Sequence, residues 1–145
     1  MVISFTVPGE PVGKGRPRLG RSGHAWTPKG TVNYENLVKL SFSQAYPDHT
    51  PLDPIVPVKC EITAYYSIPK SVSKKKYLLM LAKMLFPLKK PDLDNIAKII
   101  CDALNGIAYH DDAQIYDLHI RKFYSHQPRV EVTLTHDENE SERTT

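Results

Sequence analysis

Apolar and polar residues alternate in four short stretches of the chain, which is the pattern of a half-buried β-strand. These stretches are residues 3–7, 56–64, 116–120 and 130–134. In the first, Ile3, Phe5 and Val7 alternate with polar residues until Pro8 and Gly9 interrupt the pattern. The sequence therefore predicts a β-sheet of about four strands.

Three other stretches have apolar residues at intervals of three and four, as amphipathic helices do. The first predicted helix covers about 34–46, with Asn33 as its N-cap. The second begins at Ser71 or Ser73 and ends near Phe86, because a proline follows and cannot continue the helix.

The third predicted helix covers about 92–107 and opens directly after Pro91. Its buried stripe consists of Leu93, Ile96, Ala97, Ile100, Leu104 and Ile107. The order strand, helix, strand, helix, helix, strand, strand indicates an α+β fold, in which helices face a mixed sheet. A chain of 145 residues suits a single domain of this kind.

Two segments lack an apolar period. Residues 9–31 are rich in Gly, Pro and Arg, so we predict a long basic loop there. Residues 136–145, HDENESERTT, hold four acids and one arginine, which predicts a disordered acidic tail. We therefore place the folded domain at residues 1–135.

Basic residues cluster in two parts of the chain, whose net charge is +3. No acid occurs between Glu61 and Asp92, and that interval contains Lys70, Lys74, Lys75, Lys76, Lys83, Lys89 and Lys90. The second cluster consists of Lys14, Arg16, Arg18 and Arg21, with Lys29 close behind. Such clustering favours a polyanionic partner, although a run of lysines is also typical of a solvated surface.

The sequence gives no sign of export or of a membrane partner. We expect no secretory signal, because the first residues have neither a basic segment nor a long apolar one, and no apolar stretch approaches the roughly 18 residues of a membrane span. Cys60 and Cys101 lack metal-ligand spacing, and we expect them to be buried free thiols in a reducing compartment. We therefore expect a cytoplasmic protein.

The stretch KKPDLDN places two carboxylates, Asp92 and Asp94, at the start of the third predicted helix. Lys98 and Asp102 follow Asp94 at intervals of four, so all three lie on the helix face opposite the apolar stripe. The face therefore carries acids at both ends and a lysine between them.

Two further acids, Asp111 and Asp112, come just before the next predicted strand. If that strand runs back along the helix, one of them returns to the end that carries Asp92 and Asp94. Three convergent carboxylates form an oxygen-rich site that suits Mg²⁺ or Mn²⁺, which also bind phosphate oxygens. Such a metal activates water in phosphodiester hydrolysis, and the flanking basic segments would hold the DNA backbone.

The same acids also have a purely structural interpretation. Acids at a helix start cap free N–H groups and interact with the helix dipole, and acid–lysine–acid spacing is typical of a surface ladder. A second adjacent carboxylate adds repulsion that a cap does not need, which favours the metal site. An EF-hand fits poorly because Asn95 stands at position 4 of the loop and no glycine follows. No GxGxxG, Walker A, HExxH or GxSxG motif is present.

The segments PDLDNIAKIICDAL and HDDAQI together resemble the core motif of the RusA family of Holliday junction resolvases. That family combines an acidic DxDN helix start, a lysine four residues after the second acid, and a DDxQ segment that enters a strand. The segments PGEPVGKGRPR and WTPKGT also resemble the N-terminal region of phage- and prophage-type members. The similarity covers most of residues 1–135.

The resemblance implies a homodimeric, Mg²⁺-dependent endonuclease that nicks four-way DNA junctions symmetrically, in recombination, repair or phage DNA processing, with Mn²⁺ as a substitute metal. By motif position, Asp92, Asp94 and Asp112 correspond to the metal-binding catalytic acids. Lys98 matches the family's helix lysine, which is suited to contacting the scissile phosphate or to balancing the carboxylates. The residues expected to surround this site are Asn95, Asp102 and Asp111.

Several other residues are candidates for DNA contact. The predicted backbone contacts are Lys14, Arg16, Arg18, Arg21, Lys89 and Lys90. The KGRPR stretch is suited to phosphate contact or to insertion into a minor groove, or it is a solvated loop. Trp26 and Tyr34 either stack on unpaired bases or pack against the sheet. His110 precedes the acids, although hard cations prefer oxygen ligands.

Two other functions stay open at this point. One is a junction-binding protein whose acids are structural and which cuts nothing. The other is a metal-dependent nuclease that acts on flaps or single strands.

Overall fold

The computed structural model describes residues 1–15, 18–19, 25–26 and 29–137, with only the backbone described at 18–19 and 25–26. The strands and helices are, in chain order, β1 (Val2–Pro8), β2 (Arg18–Leu19), β3 (Ala25–Trp26), α1 (Lys29–Ala45), β4 (Val58–Ser67), α2 (Lys74–Leu81), α3 (Leu93–Ala103), β5 (Ile115–Ser125) and β6 (Arg129–Thr135). A 3₁₀ turn over Asp112–Gln114 leads into β5. All four strands predicted from alternation are present.

Four of the strands form one mixed sheet in the order β1-β6-β4-β5. The pairs β1–β6 and β6–β4 are antiparallel, whereas β4 and β5 are parallel. A parallel pair needs a crossover connection, and the segment that contains α2 and α3 provides it. The α+β prediction with a mixed sheet of about four strands is confirmed.

Helix α3 packs into the core through most of the apolar stripe that the sequence predicted, but Leu93, which was predicted to be buried, is exposed. Ile96, Ile100 and Leu104 are fully buried, and they share one core with Val38 and Phe42 of α1. Burying each such side chain stabilises the fold by about 1.5–3 kcal/mol, so this stripe fixes which face of α3 remains at the surface. The polar face of α3 is the one that carries the acids.

The direction of α3 follows from contacts at its two ends. Near the end of β4, the Tyr66 hydroxyl donates a 2.6 Å hydrogen bond to the Pro91 carbonyl, just before the helix begins. At the other end, Cys101 lies against the same cavity as Ile115, the first residue of β5. The helix therefore runs antiparallel to β4 and β5. The acids that precede β5 consequently lie near the end of α3 and not near its start.

Helix α1 begins earlier than predicted, at Lys29 instead of residue 34. Asn33 is consequently inside the helix and does not cap it. The helix begins earlier because Thr31 is buried and its hydroxyl accepts a 2.9 Å hydrogen bond from the backbone N–H of Gly15. The predicted loop at 9–31 also contains the short antiparallel ribbon of β2 and β3.

Helices α2 and α3 both end earlier than predicted. Ser73 caps α2 as expected, but the helix stops at Leu81 rather than near Phe86, because Lys83 has a left-handed backbone (φ 59°) that turns the chain. Helix α3 stops at Ala103, and Gly106 (φ 74°) turns the chain three residues later. Both corrections reflect a turn that apolar spacing does not reveal.

The two ends of the described chain pair with each other. The amino group of Met1 donates a 2.8 Å hydrogen bond to the carbonyl of His136, and the N–H of His136 donates to the carbonyl of Met1 at 3.1 Å. His136, which was assigned to the predicted tail, is buried. Residues 138–145 of that tail lie outside the described residues.

Both cysteines are free and buried, as predicted. In the ranges that the structure describes, no helix combines the length and the apolar character needed to cross a bilayer.

Candidate active site

Asp92 and Asp94 lie at the start of α3 with their side chains exposed. Asp92 occupies the N-cap position with an extended backbone (φ −72°, ψ 156°), but its side chain makes no capping hydrogen bond. Asp94 lies in the first helical turn, where its charge interacts favourably with the helix dipole. The capping interpretation therefore does not account for Asp92, and both carboxylates are available to a ligand.

A cavity of about 720 Å³ lies between α3 and β5, and we call it the acidic cavity. Its charged lining comes from Asp94 and Lys98 on the exposed face of α3, from Asp112 just before β5, and from Asp117 within β5. Its apolar lining consists of Leu93, Ala97, Cys101, Ile115, Tyr116, Leu118 and Ile120. The fold thus brings two of the three predicted metal-binding acids and the predicted lysine to one cavity.

Asp92 lines a neighbouring depression that shares Asp94 with the acidic cavity. We call it the lysine depression, because Lys89, Lys90 and Lys122 also line it. Two of these lysines were predicted DNA contacts. The third, Lys122, was not among the predicted DNA contacts. It continues the inward-facing positions of β5, since it pairs in register with the fully buried Ala64 of β4.

The DDAQ segment has a specific local structure that assigns a role to each polar residue. Asp111 caps the 3₁₀ turn: its carboxylate accepts a 3.1 Å hydrogen bond from the N–H of Ala113, and its own N–H donates to the Gln114 side chain at 2.9 Å. Gln114 also donates to the backbone carbonyls of Asp53 (2.8 Å) and Val56 (3.1 Å). Asp111 is therefore a structural residue, and the Asp112 carboxylate is the one that faces the acidic cavity.

Asp112 lies beside Asp102, near the end of α3. Burial, followed by the charges of Asp111 and Asp102 and a side-chain hydrogen bond with Asp102, raises the pKa of Asp112 above its ordinary value. The backbone N–H of Asp112 donates a 2.8 Å hydrogen bond to the Asn105 side chain, which holds the acid in place. The sequence predicted that one of the acids before β5 would approach Asp92 and Asp94, whereas in the structure the direct neighbour of Asp112 is Asp102.

Lys14 ties the N-terminal loop to this acidic end of the helix. Its ammonium group forms an ion pair with Glu35 and a second one with Asp102 at 3.3 Å. Burial lowers the pKa of Lys14, but hydrogen bonds and charges from Glu35 and Asp102 outweigh that effect, so the pKa is raised and the charge is retained. The N–H of Lys14 also donates to the Asn95 carbonyl at 3.0 Å. Lys14 thus balances the carboxylates from the protein side, and its contact with DNA stays a prediction.

Some of the remaining candidates lie outside the described residues, and the structure shows the surroundings of the others. Arg16 and Arg21 lie outside the described residues, and only the backbone of Arg18 is described, within β2. Tyr34 is buried in the core, which supports packing rather than base stacking. His110 is exposed, and its N–H donates to the Leu52 carbonyl at 3.1 Å.

The carboxylates that line the acidic cavity are of the donor type that hard divalent cations prefer. Among the residues that the structure describes, no group of three His, Cys, Asp or Glu side chains is close enough to hold a metal ion by itself. Mg²⁺ usually binds through one or two carboxylates, several waters and substrate phosphates rather than in an all-protein cage. Asp94 and Asp112 line the same cavity from the start and the end of α3, so they are candidate ligands and not a formed metal site.

Replacing Asp112 by asparagine is expected to raise the free energy of unfolding of the metal-free protein near neutral pH. The raised pKa means that the folded state disfavours the ionised carboxylate. Ionisation of Asp112 therefore lowers the free energy of unfolding above the folded-state pKa and has no effect on it below the unfolded-state pKa. The gain should be at most about 1 kcal/mol because water screens this partly exposed group. It should shrink as the pH falls towards 3.8, the ordinary value of the group.

Urea unfolding in chelator at neutral and at acidic pH measures this difference. A variant that is less stable than the wild type at neutral pH would show that Asp112 stabilises the fold and does not mark a repulsive ligand site.

Comparison with known proteins identifies the family of the chain. The family model for endodeoxyribonuclease RusA matches residues 8–135. An uncharacterized protein of Bacillus subtilis (strain 168), YqaN, is 44% identical over 138 residues, which are 91% of this chain and 94% of that protein. A crossover junction endodeoxyribonuclease, rusA, of Lactococcus phage r1t is 29% identical over 108 residues, 74% of this chain and 73% of that protein. The resemblance found in the sequence motifs is confirmed, and the chain belongs to the RusA endodeoxyribonuclease family.

Proposed function

We propose that this protein is a Mg²⁺-dependent endonuclease that resolves four-way DNA junctions by paired symmetric nicks. The observation that carries the proposal is the arrangement of Asp94, Lys98 and Asp112 around one cavity, on a chain of the RusA endodeoxyribonuclease family. The name of the phage relative, a crossover junction endodeoxyribonuclease, supports the choice of substrate. Recombination, repair or phage DNA processing in the cytoplasm is the setting in which such a substrate arises.

In this proposal the acids bind the metal and the lysine acts on the phosphate or on the acids. Asp94 and Asp112 would hold Mg²⁺ or Mn²⁺ at the acidic cavity, and Asp92, which lines the lysine depression with Asp94, would be the third ligand. The bound metal supplies an activated water and charge for the transition state of phosphodiester hydrolysis. Lys98, one turn from Asp94, either contacts the scissile phosphate or balances the carboxylates.

Asp102 has a positioning role in this proposal. It lies against Asp112 and carries the ion pair with Lys14, so it links the N-terminal loop to the acid that faces the cavity. A metal at Asp112 would offset the charges of Asp111 and Asp102, which add to the effect of burial in raising the pKa of Asp112. The apo site is therefore prepared for a positive charge.

The DNA backbone would contact the lysines of the lysine depression. Lys89, Lys90 and Lys122 surround the depression that contains Asp92 and Asp94. Phosphates bind to such lysines with release of counterions, which makes affinity steeply dependent on salt. The lysines would also offset the repulsion between the DNA and the paired acids.

The active species in this proposal is a homodimer. A four-way junction needs two symmetric cuts, and a two-fold enzyme matches a two-fold substrate. The single chain exposes Leu93, Tyr116 and Leu118 along the acidic cavity, on α3 and the sheet-edge strand β5. Exposed apolar area at a sheet edge is suited to contact with a second copy.

The test is cleavage of an end-labelled synthetic four-way junction beside a linear duplex, a flap and a single strand at matched salt. We expect paired symmetric nicks in the junction alone, with Mg²⁺ or Mn²⁺ and not with Ca²⁺ or chelator. Sedimentation of the same preparation should give the mass of a dimer. Preferred cleavage of flaps or single strands would replace the junction assignment, and junction binding without cleavage in any divalent metal would leave a binding protein.

A further inference from the structure

The loop between α2 and α3 exposes apolar side chains beside the candidate active site. Leu88 is 95% exposed, and Phe86 is 51% exposed, while Pro87 between them is buried. A leucine that is almost completely in water gives the folded chain no hydrophobic stabilisation. Leu88 is thus an exposed apolar tip that lies among the charged residues of a surface depression beside the acids.

Three contacts hold this loop against the rest of the fold, so the backbone on either side of Leu88 is fixed in place. Before Leu88, the ring of Phe86 packs on Phe123 of β5, with centroids 6.1 Å apart. After it, the carbonyl of Lys89 accepts a 2.9 Å hydrogen bond from the Lys122 ammonium group. The Tyr66 hydroxyl then fixes the Pro91 carbonyl at 2.6 Å.

The surroundings of Leu88 select its partner. Leu88 lines the lysine depression together with three lysines and with Asp92 and Asp94. The positive charge fits a polyanion, and the apolar tip fits a polyanion with accessible apolar faces. Nucleic-acid bases offer such faces where their stacking is interrupted, and the centre of a four-way junction is such a place.

We propose that Leu88 is a wedge that inserts between bases at the junction centre and places the adjoining phosphate at Asp94. The inference rests on the proposed function and adds a residue that recognises the open centre rather than the duplex arms. Proteins that bend DNA use Leu, Phe or Pro in this way, because the apolar side chain replaces the stacking that is lost. The lysines on either side hold the two backbones while the bases separate.

The first test uses a junction with 2-aminopurine beside the crossover, whose fluorescence rises when the base loses its stacking partner. Wild-type protein in chelator, where no cleavage occurs, should raise this fluorescence several-fold at saturation. Leu88→Ser should remove most of the rise. Leu40→Ser is the matched control, since Leu40 is also an exposed leucine (53%) but lies on α1.

The second test separates a wedge from a residue that only supports the loop. Leu88→Ser should slow Mg²⁺-dependent cleavage of a fully paired junction by about ten-fold, because opening one base step costs a few kcal/mol and a fraction of that falls on the barrier. A junction with unpaired nucleotides at its centre should be cut by the variant at nearly the wild-type rate. A supporting residue would slow both junctions equally.

The outcomes distinguish the wedge from the proposed function. If the wild type cuts junctions but leaves 2-aminopurine stacked, the wedge is wrong and the resolvase proposal stands. If no junction is cut under any condition, the proposed function fails and the wedge fails with it. If Leu88→Ser turns a dimer into a monomer in sedimentation, a second copy covers Leu88 and the wedge is wrong.

Discussion

Replacing Asp94 by asparagine is expected to reduce Mg²⁺-dependent junction cleavage by about 10³-fold or more. Asp94 lines both the acidic cavity and the lysine depression, so it lies between Asp112 on one side and Asp92 on the other. A catalytic metal contributes several kcal/mol to transition-state stabilisation, and each 1.36 kcal/mol is a factor of ten in rate. An amide keeps the size of the side chain but loses the charge that holds a divalent cation.

Binding should behave in the opposite way. The carboxylate repels the DNA backbone in the absence of metal, so Asp94→Asn in chelator should bind the junction as tightly as the wild type or more tightly. Gel-shift and single-turnover cleavage on the same junction, at one salt concentration, measure the two effects together. Asp48→Asn removes the same charge from an exposed residue after α1 and should leave both unchanged.

Thermal unfolding decides whether the effect on cleavage is structural. Asp94→Asn should melt within a few degrees of the wild type, since the carboxylate is exposed. A loss of cleavage that only follows the loss of folded protein would show that Asp94 is a structural residue. The paired acids would then be a property of the helix start and not of a metal site.

Replacing Gly13 by alanine is expected to lower the free energy of unfolding by about 1–3 kcal/mol. A Cβ on Gly13 would lie 2.9 Å from the Cβ of Pro91 and 3.0 Å from the Cβ of Asn95. Both neighbours are next to the backbone at the start of α3 and cannot rotate away. The N-terminal loop would have to move off the helix, and the hydrogen bond from Lys14 to Asn95 would lengthen with it.

Gly30→Ala is the matched control, because a Cβ at Gly30 meets nothing within 4 Å. Gly30 lies in α1, where alanine should stabilise the helix by roughly 0.5–1 kcal/mol. Urea unfolding of the two variants and the wild type measures the difference. If Gly13→Ala were as stable as Gly30→Ala, the loop would not be docked on α3, and the ion pair of Lys14 with Asp102 would lose its structural basis.

The sequence alone determined the parts of this protein that depend on local periodicity. Alternation marked the four strands, because the side chains of a strand point to opposite faces and only one face is buried. The stripe of Ile96, Ile100 and their neighbours marked α3, because burial of one helix face requires that spacing. The DLDN–Lys98–DDAQ spacing identified the family, since it combines acids and a lysine across two elements.

Element ends and the partners of the acids were decided by the tertiary structure. The start of α1 depends on Thr31 and Gly15, and the end of α2 on the left-handed backbone of Lys83. No sequence pattern records these, because each arises from a contact or a turn outside the apolar period.

The site itself shows the same division. The acids were visible in the sequence, but the pairing of Asp112 with Asp102, and of Asp102 with Lys14, depends on the direction in which β5 passes α3. The exposed position of Leu88 likewise depends on how Phe123 and Lys122 hold its loop. Sequence spacing determines which residues share one face of one element, whereas contacts between elements are set by how their buried faces pack together.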